Sequence, residues 1–531
     1  MRRRPKIIAL VAGLMLAATA IYAQTTSSVN PAPGSIWTYF GPTFGAGWGP
    51  APVGAANCAN IQAYGGLGDG VSNNAGAWTA ALAAGQSCVS FPAGRFRFDT
   101  AISYSFPAQL KSLRLCGAGQ DVTELYFPNA VGNAITLTLT DFQNSFHVCD
   151  LTISTGKTNA DTGLYVNQTK TSATETLSGF ATSDVTRVTF RGADGYAMNA
   201  AAPSHAFSWK TAFHSLNASV IDFVGVSISS HSGAGYATLG GTGGTGLLIE
   251  GNGSTVIPGI FNVARLNAVN LEYGIQMGKW VQGIQVTQSN FTGGYAGIRV
   301  PPDANAIAQL SVNSSQFNNH INILTEATIP QLMLNNNLFY VPSGGTGVLM
   351  LKNSFMTNVV GNVFSCTTWN TGTGFDINPQ DTPSAIPPVL IGNTFACLNI
   401  GVQLGTYSTN LLLTGNICSN NLTNILNIST AVPPFVNHIT GCTDNAGLKY
   451  AIVTGAANNG SGVTRLSVDS TAGFVSGMVV LVGGVGGINF IDGSPLAVAI
   501  NVVDGTHMDL TQIAFSGGPY TTGGKVTTLP P

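Results

Sequence analysis

The sequence predicts an all-β protein: a right-handed parallel β-helix with a capping helix at its N-terminal end, followed by a small C-terminal β-domain. Three observations carry this. From about residue 284 to 428 a strand-like pattern repeats, with marks at Phe291, Phe317, Phe339, Phe364, Phe395 and Cys418 spaced 26, 22, 25, 31 and 23 residues apart. A period in that range with alternating apolar residues means stacked coils. A second short strand follows each mark in one register, as Gly297-Ile298-Arg299-Val300, Gly347-Val348-Leu349-Met350, Gly374-Phe375-Asp376-Ile377 and Gly401-Val402-Gln403-Leu404. Finally, only 8% of residues are charged while 66 of 531 are glycine, against roughly 25% charged in ordinary soluble domains.

In each second strand the alternation of a β-strand puts the second and fourth residues inside and the third outside. Parallel stacking then spaces the coils by about 4.8 Å and buries one continuous apolar column. Leucine-rich repeats share the period, but their helix-forming segments and leucine pattern are missing here. Looser early rungs centre on Phe190, Ile228 and Leu271.

Residues 1–23 combine Arg2, Arg3, Arg4 and Lys6 with an apolar run from Ile7 to Ala20 and small residues at Ala18, Ala20 and Ala23. This order reads as a cleaved secretory signal, too short to span a bilayer. The chain therefore divides into a signal peptide (1–23), an N-terminal extension (24–59), the β-helix (60–445) and a C-terminal β-module (450–531). The expected location is secreted or periplasmic, with no membrane span after cleavage. Eight cysteines fall into two groups of four: Cys58, Cys88, Cys116 and Cys149, then Cys366, Cys397, Cys418 and Cys442. An even count in an exported chain points to disulfides, and the spacings are not those of a zinc site. Sequential pairing is the expectation, although each group of four allows three pairings.

Residues 61–98 include Gly68-Asp69-Gly70, a short helical stretch from Ala75 to Ala84 with Asn74 available as its N-cap, and Phe91-Pro92-Ala93-Gly94. This segment resembles the opening of the pectate-lyase-like β-helices, a superfamily that includes phage tailspikes and exo-glucanases. The resemblance implies that the helix caps the end of the rod, where an open stack would expose a templating edge. The segment after 450 loses the coil period and is similar to small β-modules on phage tail proteins.

The net charge of −2 provides no basic field for nucleic acid. A surface solvated by Asn, Ser, Thr and Gln suits hydroxyl-rich partners, so extracellular polysaccharide is the expected partner. A homotrimer is one assembly open to such a rod. The Asn-Thr-Asp, Asp-Asp and Gly-His-Gly motifs of polygalacturonases are absent, as are Asp clusters suited to Ca²⁺. No metal or cofactor is expected.

Aligning the early rungs on Phe190, Ile228 and Leu271 places Asp184, Asp222 and Arg265 each six residues before its mark. Stacked, the two aspartates would form a carboxyl pair at the spacing retaining glycosidases use, with Arg265 relieving their repulsion. Capping of a turn is the competing duty of such aspartates. Glu272 lies on the same coils as a third catalytic candidate, with Asp194 weaker and Glu250 read as a solvated strand end. The outward third positions give Gln276, Arg299, Asn322, Leu349, Asp376 and Gln403 as a polar ladder for sugar hydroxyls. Of these, Gln276, Arg299 and Asp376 join Arg265 as substrate-binding candidates, and Trp280 or Tyr295 would serve as stacking platforms. His205, His214 and His231 read as loop residues. The expected function is cleavage of polysaccharide as a glycoside hydrolase or lyase; the alternative is a non-catalytic carbohydrate-binding or surface-structural rod.

Overall fold

The computed structural model describes residues 58–107, 112–170, 181–195, 206–230, 243–253, 257–305, 308–352, 354–378, 388–405, 411–427, 442, 450–488, 496–516, 518–521 and 523–528. The expected signal peptide, most of the N-terminal extension, His205 and His231 lie outside them.

From Ala59 to Asn427 the chain winds into a right-handed parallel β-helix with three strand faces. One coil shows the order: Tyr273–Met277 on face 1, Gly283–Thr287 on face 2, Asn290–Thr292 on face 3, then Ala296–Val300 on face 1 of the next coil. Among the described residues face 1 is a sheet of 12 strands, while faces 2 and 3 belong to one sheet of 24. Two long early strands, Ser145–Thr155 and Ser183–Gly192, run through faces 2 and 3 without a break.

From the strand Ser145–Thr155 onward the corner between faces 2 and 3 recurs because one residue there adopts positive φ. Asp150, Arg187, Gly225, Arg265, Gln288, Ser314, Asn336, Gly361, Gly392 and Gly415 all have φ between 49° and 67°. Glycine takes this conformation freely, and asparagine tolerates it better than most residues. The next position holds buried asparagines in four later coils, and they bond to one another. Asn337 Nδ2 donates to Asn362 Oδ1, Asn362 to Asn393 and Asn393 to Asn416, each at 2.9 Å. Each of these last three side chains also accepts the backbone N–H of the asparagine one coil earlier. The polar groups at this buried corner are thereby satisfied.

The aromatic marks fall in register as expected: Phe291, Phe317, Phe339, Phe364, Phe395 and Cys418 are successive partners. The five rings stack along the interior with centroids 4.7, 5.1, 4.7 and 4.8 Å apart. Burying each ring contributes about 2–3 kcal/mol. The same column explains a glycine at the second position of the face 1 strands. A Cβ on Gly297 would lie 2.7 Å from both the Asn322 carbonyl oxygen and the Phe317 ring.

Two register expectations need correction. Ile228 is opposite Ala268, not Leu271. Arg299 is opposite Leu324, not Asn322, because Asn322 stands where other coils have glycine.

The helix Ala75–Ala83 covers the first coil with Ala77, Trp78 and Ala81 buried. Asn74 makes no capping bond to it. Its buried amide instead accepts the Leu67 N–H at 2.7 Å and donates to the Leu67, Ser72 and Arg97 carbonyls. The four disulfides are Cys58–Cys88, Cys116–Cys149, Cys366–Cys397 and Cys418–Cys442, with separations of 30, 33, 31 and 24 residues, about one coil each. Beyond residue 450 six antiparallel strands close a barrel in the order Tyr450–Asn458, Val463–Val468, His507–Ala514, Leu496–Val502, Val479–Gly483, Lys525–Thr528.

Candidate functional site on face 1

Long connections concentrate at the edges of face 1. Residues 193–208 and 230–244 join faces 3 and 1, and 169–182, 251–260, 301–308 and 378–388 join faces 1 and 2, whereas from Val224 onward faces 2 and 3 are joined by two residues. Loops carry function when a rigid scaffold holds them, which directs attention to this face.

Its main outward column runs Tyr165, His214, Leu248, Gln276, Arg299, Leu324, Leu349, Asp376 and Gln403, one residue per coil. At the centre the Arg299 guanidinium lies 4.7 Å from the middle of the Tyr273 ring. Arg299 Nε donates to Glu326 Oε2 at 2.6 Å, and the two side chains are 18% and 19% exposed, so solvent screens the pair only in part. Tyr295 meets Tyr273 edge-on at 6.3 Å and stacks on His320 at 5.8 Å. Burial, then a hydrogen bond with Glu272, push the Tyr273 phenol well above its usual range. Burial also raises the Tyr295 phenol and lowers the His320 imidazole. Tyr273, Ala296, Ile321 and Leu324 form an apolar floor on this outward side, joined by Leu349 and Leu351.

Toward the N-terminal end, His214 Nε2 lies 2.9 Å from Glu250 Oε1, and the Tyr165 ring is 5.0 Å from the His214 ring. His214 is therefore a strand residue and Glu250 its partner, not a loop residue and a free strand end. Toward the C-terminal end, Asp376 Oδ2 accepts from Gln403 Nε2 at 3.3 Å, and burial lifts its carboxyl to about 6.

Face 1 thus collects Gln276, Arg299 and Asp376 in one column, with Glu272 beside Tyr273. It also brings in Tyr165, His214, Tyr273, His320 and Glu326. For Tyr273 and His214 the signal in the sequence is an aromatic or ionisable residue at a position where neighbouring coils carry Thr, Ala or Leu.

The other candidates lie elsewhere. Asp184 and Asp222 are direct partners on adjacent coils of face 2. Their carboxylates turn to different neighbours: Asp184 to His147 Nδ1 and to Thr186 Oγ1 at 3.0 Å, Asp222 to Asn262 Nδ2 at 2.8 Å. Asn262, not Arg265, is the partner of Asp222, and Arg265 sits in the positive-φ corner between faces 2 and 3. Asp194 accepts the backbone N–H groups of Ala206 and Phe207. Trp280 is a turn residue with φ +60°. Among the described residues no three His, Cys, Asp or Glu side chains are placed to hold a metal ion.

No family model matches the chain, and no curated protein sequence does. Among solved structures it is similar to the A-module of the mannuronan C-5 epimerase AlgE4 from Azotobacter vinelandii, with 17% identity and a TM-score of 0.47 over 72% of this chain and 100% of that one. The Dettilon tailspike protein aligns at 10% identity and TM-score 0.42, over 88% and 94%. The Streptococcus pneumoniae surface protein and adhesin PfbA aligns at 11% identity and TM-score 0.42, over 72% and 98%. At these scores the likeness assigns no activity, and the parallel β-helix stands on the ladders described above.

Proposed function

We propose that this is an exported polysaccharide-active protein whose face 1 holds an extended glycan and hydrolyses it beside Arg299. The observation that carries the reading is the group set around that residue: Tyr273 beneath the guanidinium, Glu326 bonded to it and Glu272 bonded to the tyrosine. Coils rise by about 4.8 Å, close to the length of one sugar unit, so an extended chain would meet one coil per residue. The half-buried Leu349, packed beside the buried Ile321 and Leu324, suits the face of a sugar ring, and Gln276 and Gln403 suit its hydroxyls.

Two carboxyl groups flanking a bound sugar are what glycosidic hydrolysis requires. Elimination instead needs a base for a proton beside a uronate. A phenol pushed up by burial and by Glu272 holds its proton, so Tyr273 is not the base that elimination needs, and Glu272 and Glu326 are the candidate pair for hydrolysis. Four disulfides fit an oxidising compartment. Among the described residues no helix is long and apolar enough to cross a membrane.

The alternative is a non-catalytic carbohydrate-binding or surface-structural rod. One observation favours it: Arg299 and Glu326 already neutralise each other, which binding tolerates and catalysis does not need. A panel of neutral and acidic polysaccharides, assayed for reducing ends, for unsaturated products and for binding, decides. New reducing ends that vanish in Glu272→Gln with binding retained support hydrolysis. Unsaturated products would transfer the assignment to a lyase, and binding without any product to the second reading. Absence of binding across the panel would overturn both.

A further inference from the structure

The strand Ser145–Thr155 on face 2 carries a second group set with its own chemistry. Ser145 and His147 are two residues apart, so both side chains leave the strand on the same side, with Phe146 and Val148 buried behind them. Asp184 is the direct partner of His147 on the next coil. The side chains then line up in order: His147 Nδ1 bonds Asp184 Oδ2, and His147 Nε2 lies 3.4 Å from Ser145 Oγ. Thr186 Oγ1 donates to the other Asp184 oxygen at 3.0 Å, which fixes the carboxylate. With the carboxylate accepting from Nδ1–H, Nε2 is left as the acceptor that faces the serine hydroxyl.

We infer that Ser145, His147 and Asp184 form a serine nucleophile triad that hydrolyses short-chain carboxylic esters, an activity separate from face 1. Such a triad is recognised by geometry and roles and recurs on unrelated folds, and its nucleophile–base contact is often loose before substrate binds. Asp184 then acts as the group that orients and supports the imidazole. This role differs from the carboxyl pair expected with Asp222, whose carboxylate accepts from Asn262.

The step balances without a cofactor. Ser145 Oγ attacks the acyl carbon as His147 Nε2 takes the hydroxyl proton, and the imidazolium then protonates the departing alcohol. Water attacks the acyl-enzyme, giving its proton to Nε2, and the acid leaves as Ser145 regains its own. Arg114 is the register partner of His147 on the preceding coil, with backbones about 4.8 Å apart, and is the candidate donor to the developing oxyanion. Ser145 is 7% exposed, while the His147 and Asp184 side chains are 20% and 30% exposed. That limited opening selects small acyl groups such as acetyl.

The test uses the full chain with p-nitrophenyl acetate and a small fluorophosphonate probe. Ester hydrolysis is expected to fall by about a thousandfold in Ser145→Ala and His147→Gln, with the probe's mass carried on the Ser145 peptide of the parent protein. As the positioning residue, Asp184 is read by labelling rate. Asp184→Asn should label at least about a hundredfold more slowly while its circular dichroism and melting profile match the parent. Ser145→Cys keeps a nucleophile in the same pocket and should react with an acylating probe only when His147 is present. No adduct on Ser145, an adduct whose rate ignores His147, or hydrolysis unchanged in Ser145→Ala would each overturn the inference. Loss of polysaccharide binding in face 1 variants leaves these outcomes unaffected, so the two sites are separable.

Discussion

The guanidinium of Arg299 and the ring of Tyr273 lie 4.7 Å apart on adjacent coils, joining two outward columns of face 1. Glu326 closes the arrangement from the other side, at 2.6 Å from Arg299 Nε. With both charged side chains largely shielded, removing one leaves the other without its main partner. Arg299→Met should cost about 1–3 kcal/mol. Glu326→Leu should cost a similar amount, and the double variant less than the sum by at least about 1 kcal/mol. Urea unfolding of the four proteins measures this coupling. Additive losses would show that the pair contributes nothing beyond its separate contacts.

The asparagine column makes a sharper prediction for the corner between faces 2 and 3. Asn362 is fully buried, accepts from the backbone and side chain of Asn337, and donates to Leu334 and to Asn393. Asn362→Ala strands the Asn337 backbone N–H, the Asn337 amide donor and the Leu334 carbonyl at once. The expected loss is about 3 kcal/mol, measured by chemical unfolding. Asn416→Ala strands the corresponding groups of Asn393 and Leu390 and should cost a similar amount. Losses below about 1 kcal/mol at both positions would contradict a bonded column.

How far the sequence could be read follows from which positions the fold restricts. The phenylalanine marks were legible because each ring stacks on the next and admits few replacements. Where the mark is small the reading failed: Ala268 occupies it in one coil, the bulky Leu271 three residues later drew the alignment, and Arg265 was carried into the wrong column with it. Asn322 misled in the same way, since it replaces the glycine that marks the start of the other face 1 strands. The chemistry was harder still. Tyr273 with Arg299, His214 with Glu250 and His147 with Asp184 join residues from 26 to 37 positions apart, linked only by register. Register depends on loop lengths such as 169–182, which no local pattern reveals.

The ring stack predicts its own sensitivity. Phe339 is fully buried between Phe317 and Phe364, with centroids at 5.1 and 4.7 Å. Phe339→Ala removes both contacts and leaves a cavity, at a cost of about 3–5 kcal/mol. Phe339→Leu refills most of the volume without the stacking and should cost about 1–2 kcal/mol. Thermal unfolding ranks the two; a Leu variant as damaged as the Ala variant would mean that ring stacking, not volume, dominates the column.

Asp376 makes stability depend on pH in a direction that can be worked out. Its usual value of 3.8 is raised to about 6 by burial, against which the Gln403 hydrogen bond acts only in part. Between these values the unfolded chain has released the proton while the folded chain still holds it. The unfolded state therefore binds fewer protons, and stability falls as pH rises through that window. Below it both states are protonated and no penalty exists; above it both are ionised and the full penalty remains, on the order of 3 kcal/mol. Asp376→Asn keeps an oxygen for Gln403 and cannot ionise. The variant should match the parent near pH 4 and exceed it near pH 8 by that amount, read as unfolding midpoints at the two pH values. Equal midpoints at the higher pH would show that the buried carboxyl is relieved in some other way. A gain in stability accompanied by weaker polysaccharide binding would indicate that the chain keeps a costly carboxyl on face 1 because its ligand uses it.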